Sequence, residues 1–200
     1  MKQVDTVKVW DPLVRIFHWA LVATFFTAYL TGEEGPEIHE WMGYAVLALV
    51  IFRIVWGFAG SKHVRFSDFV RGPGAVLRNL RDIVLMHPKR YLGHSPAGGA
   101  MVVLLLVMLT ATTVTGIIGE EQYEQATPTA TAATDPDEHE QESNRNGEQR
   151  GEESPIVEAH EVLSNLTLAL VLLHIAGVIL SSFTHRENLI ASMVSGRKKP

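Results

Sequence analysis

The stretch "VLSNLTLALVLLHIAGVILSSF", residues 162–183, contains no Asp, Glu, Lys or Arg. A helix needs about 20 predominantly apolar residues to cross a bilayer, and this stretch meets that length. Three further apolar blocks approach or reach it, at residues 13–31, 41–60 and 100–119. The sequence therefore predicts an all-α fold, an integral membrane four-helix bundle formed by a single domain over residues 1–200.

The first apolar block has an alternative interpretation as a cleaved signal peptide. A signal core lacks embedded polar residues such as Arg15 and His18, and it ends in a small-residue cleavage site. The following stretch "YLTGEEGPE", residues 29–37, offers no such site. We therefore interpret the block as a membrane-spanning helix.

The distribution of charge predicts the orientation of the bundle. Of the 17 Lys and Arg, only Arg145 and Arg150 lie outside residues 1–15, residues 53–90 and the stretch after the fourth block. The loops 32–40 and 120–161 hold four and thirteen of the 22 acidic residues. By the positive-inside rule, we expect both the N and C termini to be cytoplasmic.

Two connections between the blocks differ in character. Residues 121–154 are polar, acidic and poor in aromatic residues, which predicts a disordered outer loop. The stretch "GPGAVLRNLRDIVLM", residues 72–86, predicts an amphipathic cytoplasmic surface helix, with a soluble partner as the alternative to membrane anchoring. Its apolar side is predicted to carry Val76, Leu80, Ile83 and Val84, and its polar side Arg78, Arg81 and Asp82.

The chain has no cysteine, which excludes covalent haem attachment through CxxCH, thiolate-held iron–sulfur clusters and disulfides within the chain. Any redox cofactor must therefore be held by other ligands, and the chain has nine histidines that could serve. Five are predicted to be solvated, in loops or at the inner surface: His63, His87, His94, His139 and His185. The other four lie in or beside the spanning blocks: His18, His39, His160 and His174.

Spacing arranges these four histidines at two depths. His160 and His174 are 14 residues apart, which places them within about 40° of the same helix face and about 21 Å apart along the axis. One helix can thus supply a ligand to each of two stacked cofactors. Matching depth pairs His18 with His174 on the inner side and His39 with His160 on the outer side.

Two bis-histidine pairs in an apolar bundle predict two non-covalent b-type haems. Zinc or copper usually requires three or four ligands at one depth, and a plain membrane anchor needs no paired histidines. Gly43 and Gly177, each about one turn after a histidine, leave room for a flat ring. Ordinary helix packing by small residues is the alternative for both glycines.

Two arginines lie at the depth of the inner histidine pair. Arg53 follows His39 by 14 residues, and Arg15 precedes His18 by three. A central arginine in a membrane helix costs about 2.5 to 3.5 kcal/mol on insertion scales, so a compensating anion is expected. Both side chains are candidate contacts for a haem propionate, and snorkelling to the inner headgroups is the alternative.

Four motifs resemble those of the bacterial cytochrome b561 family, and within it the branch that contains the b-type cytochrome subunit of nickel–iron hydrogenase. They are "VWDPLVRIFHW" (9–19), "HEWMGY" (39–44), "RYLGHSPAGGAMV" (90–102) and "VEAHEVLSNLTLALVLLHIAGV" (157–178). The resemblance covers most of the chain outside residues 121–154. It implies a multi-pass protein of the bacterial inner membrane, with His18, His39, His160 and His174 as the axial ligands of the haem iron.

The resemblance also implies electron transport across the membrane, between a periplasmic redox protein and the quinone pool of a respiratory chain. The partner would be a c-type cytochrome, a nickel–iron hydrogenase or a dehydrogenase, and neither a catalytic residue nor a nucleic-acid partner is expected. The alternative is a self-contained quinone-reducing enzyme, such as a superoxide-oxidising cytochrome b561. The acidic outer loops favour a protein partner with a basic docking face over the superoxide anion.

Overall fold

A computed structural model describes residues 7–33, 35–61, 64–85, 89, 91, 93–126 and 154–198. In chain order, the elements of this part of the chain are β1 (Val7–Lys8), α1 (Pro12–Thr31), α2 (Pro36–Ala59), α3 (Phe66–Phe69), α4 (Pro73–Val84), α5 (Pro96–Ala126), α6 (Pro155–His185), α7 (Leu189–Ser195) and β2 (Arg197–Lys198). The predicted outer loop falls mostly on residues 127–153, which lie outside the described residues.

Four helices, α1, α2, α5 and α6, are long and apolar enough to cross a membrane. The predicted integral membrane four-helix bundle is therefore confirmed. Large apolar side chains remain on the outside of these helices; Leu172 and Leu173 of α6, for example, are 56% and 58% exposed. Such side chains are expected to face lipid, because the bilayer core is as apolar as they are.

The helices extend beyond the predicted apolar blocks, and local sequence explains why. Pro36 and Pro155 occupy the first turns of α2 and α6, where proline has the φ angle that a helix needs and no intrahelical hydrogen bond to lose. The predicted starts at residues 41 and 162 were therefore too late. At its other end α5 continues to Ala126, past the predicted end at residue 119, because "EEQYEQA" consists largely of good helix formers.

The four long helices pack in sequence, with α1 against α2, α2 against α5, and α5 against α6. Their core lies in the middle of the bundle and consists of Phe25, Val46, Val50, Leu106 and Leu109, with Leu168 and Val171 of α6 packed against it. Successive helices run in opposite directions, so the bundle has two chemically distinct ends.

The first end, called the acidic end below, is formed by the last turns of α1 and α5 and the first turns of α2 and α6. Its described carboxylates are Glu33, Glu37, Glu40, Glu120, Glu121, Glu158 and Glu161. The second end, called the basic end, carries α3, α4, α7 and the pair of short strands. Its described arginines are Arg15, Arg53, Arg65, Arg71, Arg78, Arg81, Arg186 and Arg197.

The two ends of the described chain meet at the basic end. Strands β1 and β2 pair in antiparallel register, with Val7 opposite Lys198. Gly196, at φ +78°, ends α7 in the left-handed conformation that favours glycine. Its carbonyl oxygen accepts hydrogen bonds from the backbone nitrogens of Val9 at 3.0 Å and Trp10 at 3.2 Å. These contacts join the entry to α1 and the exit from α7.

The short helix α3 is packed closely between two spanning helices. A Cβ atom at Gly57 of α2 would overlap the Phe66 ring, and one at Gly99 of α5 would lie 2.7 Å from the Phe69 carbonyl oxygen. Neither position has room for a side chain, so glycine is required at both. The connection between α2 and α4 is thereby held against the bundle.

Candidate functional site

A cavity of about 260 Å³ lies among the long helices at the acidic end. All four contribute to its lining, including His39 and Gly43 from α2, Gly116 from α5 and His160 from α6. The ring centroids of His39 and His160 are 5.9 Å apart, and the two rings are nearly perpendicular at 87°. Two of the sequence-predicted site histidines therefore meet across the bundle.

Each of these two histidines is oriented by a backbone carbonyl on a neighbouring helix. His39 Nδ1 lies 2.8 Å from the Ala28 carbonyl oxygen of α1. His160 Nδ1 lies 2.8 Å from the Thr112 carbonyl oxygen of α5. A carbonyl oxygen only accepts, so Nδ1 must donate in both cases, and the neutral ring keeps a free electron pair on Nε2. That nitrogen is the one available to a metal.

The rim of the cavity is polar and acidic. Tyr44 Oη donates to Glu120 Oε2 at 3.4 Å, and the side chain of Glu40 lies beside that of Glu120. On the other side, Tyr29 Oη donates to Asn165 Oδ1 at 2.8 Å. The cavity thus combines an interior between apolar helices with a negatively charged mouth.

The glycines near the histidines differ in how much free space surrounds them. A Cβ atom at either Gly43 or Gly177, the two predicted glycines, would meet no atom within 4 Å. Gly116 differs, because a Cβ atom there would lie 2.9 Å from Cε1 of His160. Gly116 is a site residue that the sequence analysis did not identify. Its only signal in the sequence was a glycine at the depth of His160, on a helix that carries no histidine.

The second predicted pair, His18 and His174, lies toward the basic end. The two side chains are close enough for their charges to interact. The His18 ring packs edge-on against Trp19, with centroids 5.3 Å apart. Its Nδ1 is buried and has no hydrogen-bond partner among the described residues. The structure therefore places His18 and His174 near each other, without the ring contact that His39 and His160 make.

Arg53 is enclosed by protein, with only 3% of its surface exposed. Its Nη2 donates to the Val64 carbonyl oxygen at 3.2 Å, and its guanidinium lies over the rings of Phe66 at 5.2 Å and Phe69 at 5.8 Å. Nη1 is buried and has no partner among the described residues. The side chain does not project from the bundle, as snorkelling requires, and it retains an unused donor.

Arg15 contacts the C-terminal part of the chain. Its Nη2 donates to the Val194 carbonyl oxygen of α7, while Nε is buried without a partner among the described residues. A Cβ atom at Gly196 would lie 2.9 Å from Arg15 Nη1. In this structure the arginine therefore joins α1 to α7.

The prediction that His94 is solvated was wrong. Its ring is half-buried, with its centroid 4.8 Å from that of Trp10 and 4.7 Å from that of Phe69. The motif around it packs against α3 and the start of α1, which a loop assignment did not anticipate. Three of the other histidines predicted to be solvated, His63, His87 and His139, lie outside the described residues.

Within the described parts of the chain, no group of three or more His, Cys, Asp or Glu side chains converges as metal ligands would. His39 and His160 instead face each other from two different membrane-spanning helices. Multi-pass membrane proteins commonly build cofactor sites in this way, from side chains on facing helices of a bundle.

The chain belongs to the prokaryotic cytochrome b561 family, whose family model matches residues 9–196. Comparisons with curated proteins and with solved structures gave no significant match. Family membership makes the protein a b-type cytochrome of the inner membrane, which binds haem and transfers electrons. The two expectations that the sequence motifs carried, the family and its membrane location, are thus confirmed.

Proposed function

We propose that this protein binds two b-type haems and conducts electrons between a periplasmic redox protein and the quinone pool. His39 and His160 would hold one haem at the acidic end, and His18 and His174 the other toward the basic end. The redox protein would be a c-type cytochrome, a hydrogenase or a dehydrogenase. Haem content per chain and redox titration of single-histidine variants test this assignment.

The observation that carries the proposal is the geometry of His39 and His160. Two imidazoles bound to opposite sides of one metal ion through bonds of about 2 Å have ring centroids about 6 Å apart. The observed separation is 5.9 Å. Both rings also direct their protonated Nδ1 to a backbone carbonyl, which leaves Nε2 free on each. The side chains are thus suited to be two axial ligands of one iron.

A pair of ligands is too few for a metal ion held by protein alone, but it is enough for the iron of a haem, because the porphyrin supplies the other ligands. Bound haem would supply the reversible one-electron oxidation and reduction of its iron. Two histidines on one haem iron would leave no open coordination position for oxygen or a substrate. The residues therefore favour electron transfer over catalysis on a bound substrate.

The surroundings of Arg53 support a second haem near His18 and His174. An arginine buried at membrane depth with an unused donor is costly unless an anion is nearby. A haem propionate would provide that anion, and Nη1 is the nitrogen that would bind it. Arg15 is a weaker candidate for this role, because Nη2 already donates to Val194.

Replacing Arg53 with Gln should lower the midpoint potential of the haem that depends on His18 and His174, because a nearby positive charge favours the reduced form. One charge at about 15 Å and an effective dielectric constant near 20 corresponds to a shift on the order of 50 mV. A redox titration followed by absorption measures it, with Arg53→Lys as the control that keeps the charge. Equal shifts in both haems, or no shift, would contradict this role for Arg53.

Charge supports both the orientation and the kind of partner. By the positive-inside rule, the basic end would be cytoplasmic and the acidic end periplasmic. The carboxylates at the mouth of the cavity, Glu40 and Glu120, would attract a basic protein surface. They would repel the superoxide anion, which makes a superoxide-oxidising activity the less favoured alternative.

The acidic segment between α5 and α6 should accelerate docking of a basic electron carrier. Such steering decays over about 8 Å at physiological salt, so electron-transfer rates should fall steeply as ionic strength rises. We expect deletion of residues 127–150 to flatten this salt dependence. Stopped-flow rates with a basic soluble cytochrome, measured across a salt series, provide the test.

The deletion is compatible with the fold, because Ser154 Oγ already donates to Gln122 Oε1 at 3.0 Å between the two helix ends. An unchanged haem content in the shortened protein is the required control. If the intact and shortened proteins respond to salt alike, docking depends on other carboxylates of the acidic end or on another subunit.

A further inference from the structure

Helix α4 at the basic end carries an apolar stripe that no described residue covers. Leu77, Leu80 and Val84 are 66%, 46% and 80% exposed. Their spacing of three and four residues places all three within about 60° of one another around the helix. An exposed apolar stripe on a helix beside a membrane bundle requires an occupant.

The opposite part of α4 is attached to the start of a membrane-spanning helix. Asn79, only 3% exposed, accepts a hydrogen bond from the Ala97 backbone nitrogen at 3.1 Å. This nitrogen belongs to the first turn of α5, where backbone donors have no partner within their own helix. Because α5 crosses the membrane from this turn onward, the bond holds α4 at the depth where the span begins.

Positively charged side chains lie along one edge of this apolar stripe. Arg81 and Arg78 follow Leu77 by about 40° and 100° around the helix, and both are exposed. Asp82 is the only acidic residue among residues 71–85, which also contain the exposed Arg71. The order around the helix is therefore a packed edge, an apolar stripe and a basic edge.

We propose that α4 is an interfacial anchor that binds anionic phospholipid at the basic end of the bundle. Leu77, Leu80 and Val84 would enter the boundary between headgroups and acyl chains, and Arg78 and Arg81 would bind lipid phosphate. A helix at this depth contacts both lipid phosphates and acyl chains, which match its basic edge and its apolar stripe. The proposal concerns a lipid site separate from the histidine pairs and does not depend on the number of haems.

The depth of the stripe can be measured directly, because the chain has no native cysteine. A nitroxide label is attached to Val84→Cys, on the stripe, or to Asp82→Cys, on the opposite side, in the full-length protein. The protein is reconstituted in vesicles of phosphatidylcholine and phosphatidylglycerol. At Val84 we expect high collision rates with oxygen and low rates with a water-soluble nickel chelate, and the reverse at Asp82. If both labels are equally accessible to the nickel chelate, α4 does not enter the bilayer and the proposal is wrong.

Lipid selectivity is tested with a pair of charge-matched variants. Arg78→Gln with Arg81→Gln removes the basic edge, while Arg186→Gln with Arg197→Gln removes two exposed charges elsewhere at the basic end. Native mass spectrometry with added phosphatidylglycerol should show about 25-fold weaker binding for the first pair, at about fivefold for each arginine, and little change for the second. Equal weakening in both pairs, or none in the first, would overturn a lipid site on α4.

Discussion

The His160→Ala variant should contain one haem per chain where the unmodified protein contains two, and a redox titration should lose one component only. His160 is oriented by Thr112 and faces His39, so its removal would leave the proposed haem held by one histidine. The haem at His18 and His174 should remain. His174→Ala should give the opposite result, with the other component lost.

A matched control for these variants lies on the same helix. His185, at the end of α6, has no predicted role as a ligand, and His185→Ala should retain both components. If His160→Ala and His174→Ala lose the same component, the pairing of His39 with His160 and of His18 with His174 is wrong. If the control also loses haem, the histidine changes act through helix stability and not through ligation.

A comparable loss is expected from a single methyl group at Gly116. A Cβ atom there would lie 2.9 Å from Cε1 and 3.2 Å from Nδ1 of His160. The imidazole would have to move, which breaks the 2.8 Å contact with the Thr112 carbonyl oxygen and misdirects Nε2. Gly116→Ala should therefore lose most of the haem that His39 and His160 hold and keep the other.

Gly119→Ala, one turn along α5, is the control for this change. A Cβ atom at Gly119 would meet Val157 Cγ2 at 3.6 Å, an ordinary van der Waals contact. Alanine is a better helix former than glycine by about 1 kcal/mol, so neither variant should weaken the helix itself. Haem absorbance per chain, measured for both variants, separates displacement of His160 from a general effect on α5. Full haem content in Gly116→Ala would contradict the role of this site.

The number of spanning helices was predictable because it depends on the length of apolar blocks, a property read along the chain. The helix ends were harder to predict, because Pro36 and Pro155 start their helices in polar sequence before the apolar residues begin. An apolar block marks the part of a helix in lipid, whereas capping and helix propensity determine where the helix ends.

Residues of the candidate site could be predicted from the sequence only where the spacing that marks them lies within one helix. The spacing of His160 and His174 is such a signal, since one helix fixes both depths and faces. Thr112 and Gly116 are on α5, which carries no histidine, and their role depends on the register between α5 and α6. The contact of Arg15 with Val194 likewise joins distant parts of the chain, which spacing alone cannot reveal.

The central claim is that the chain holds two haems through two pairs of histidines, and counting haem in the purified full-length protein tests it most directly. A pyridine haemochromogen assay, combined with quantitative amino-acid analysis of the same sample, gives the number of b-type haems per chain. The two pairs, His39 with His160 and His18 with His174, predict a value close to two. A value close to one in protein that retains its helical content would contradict the account.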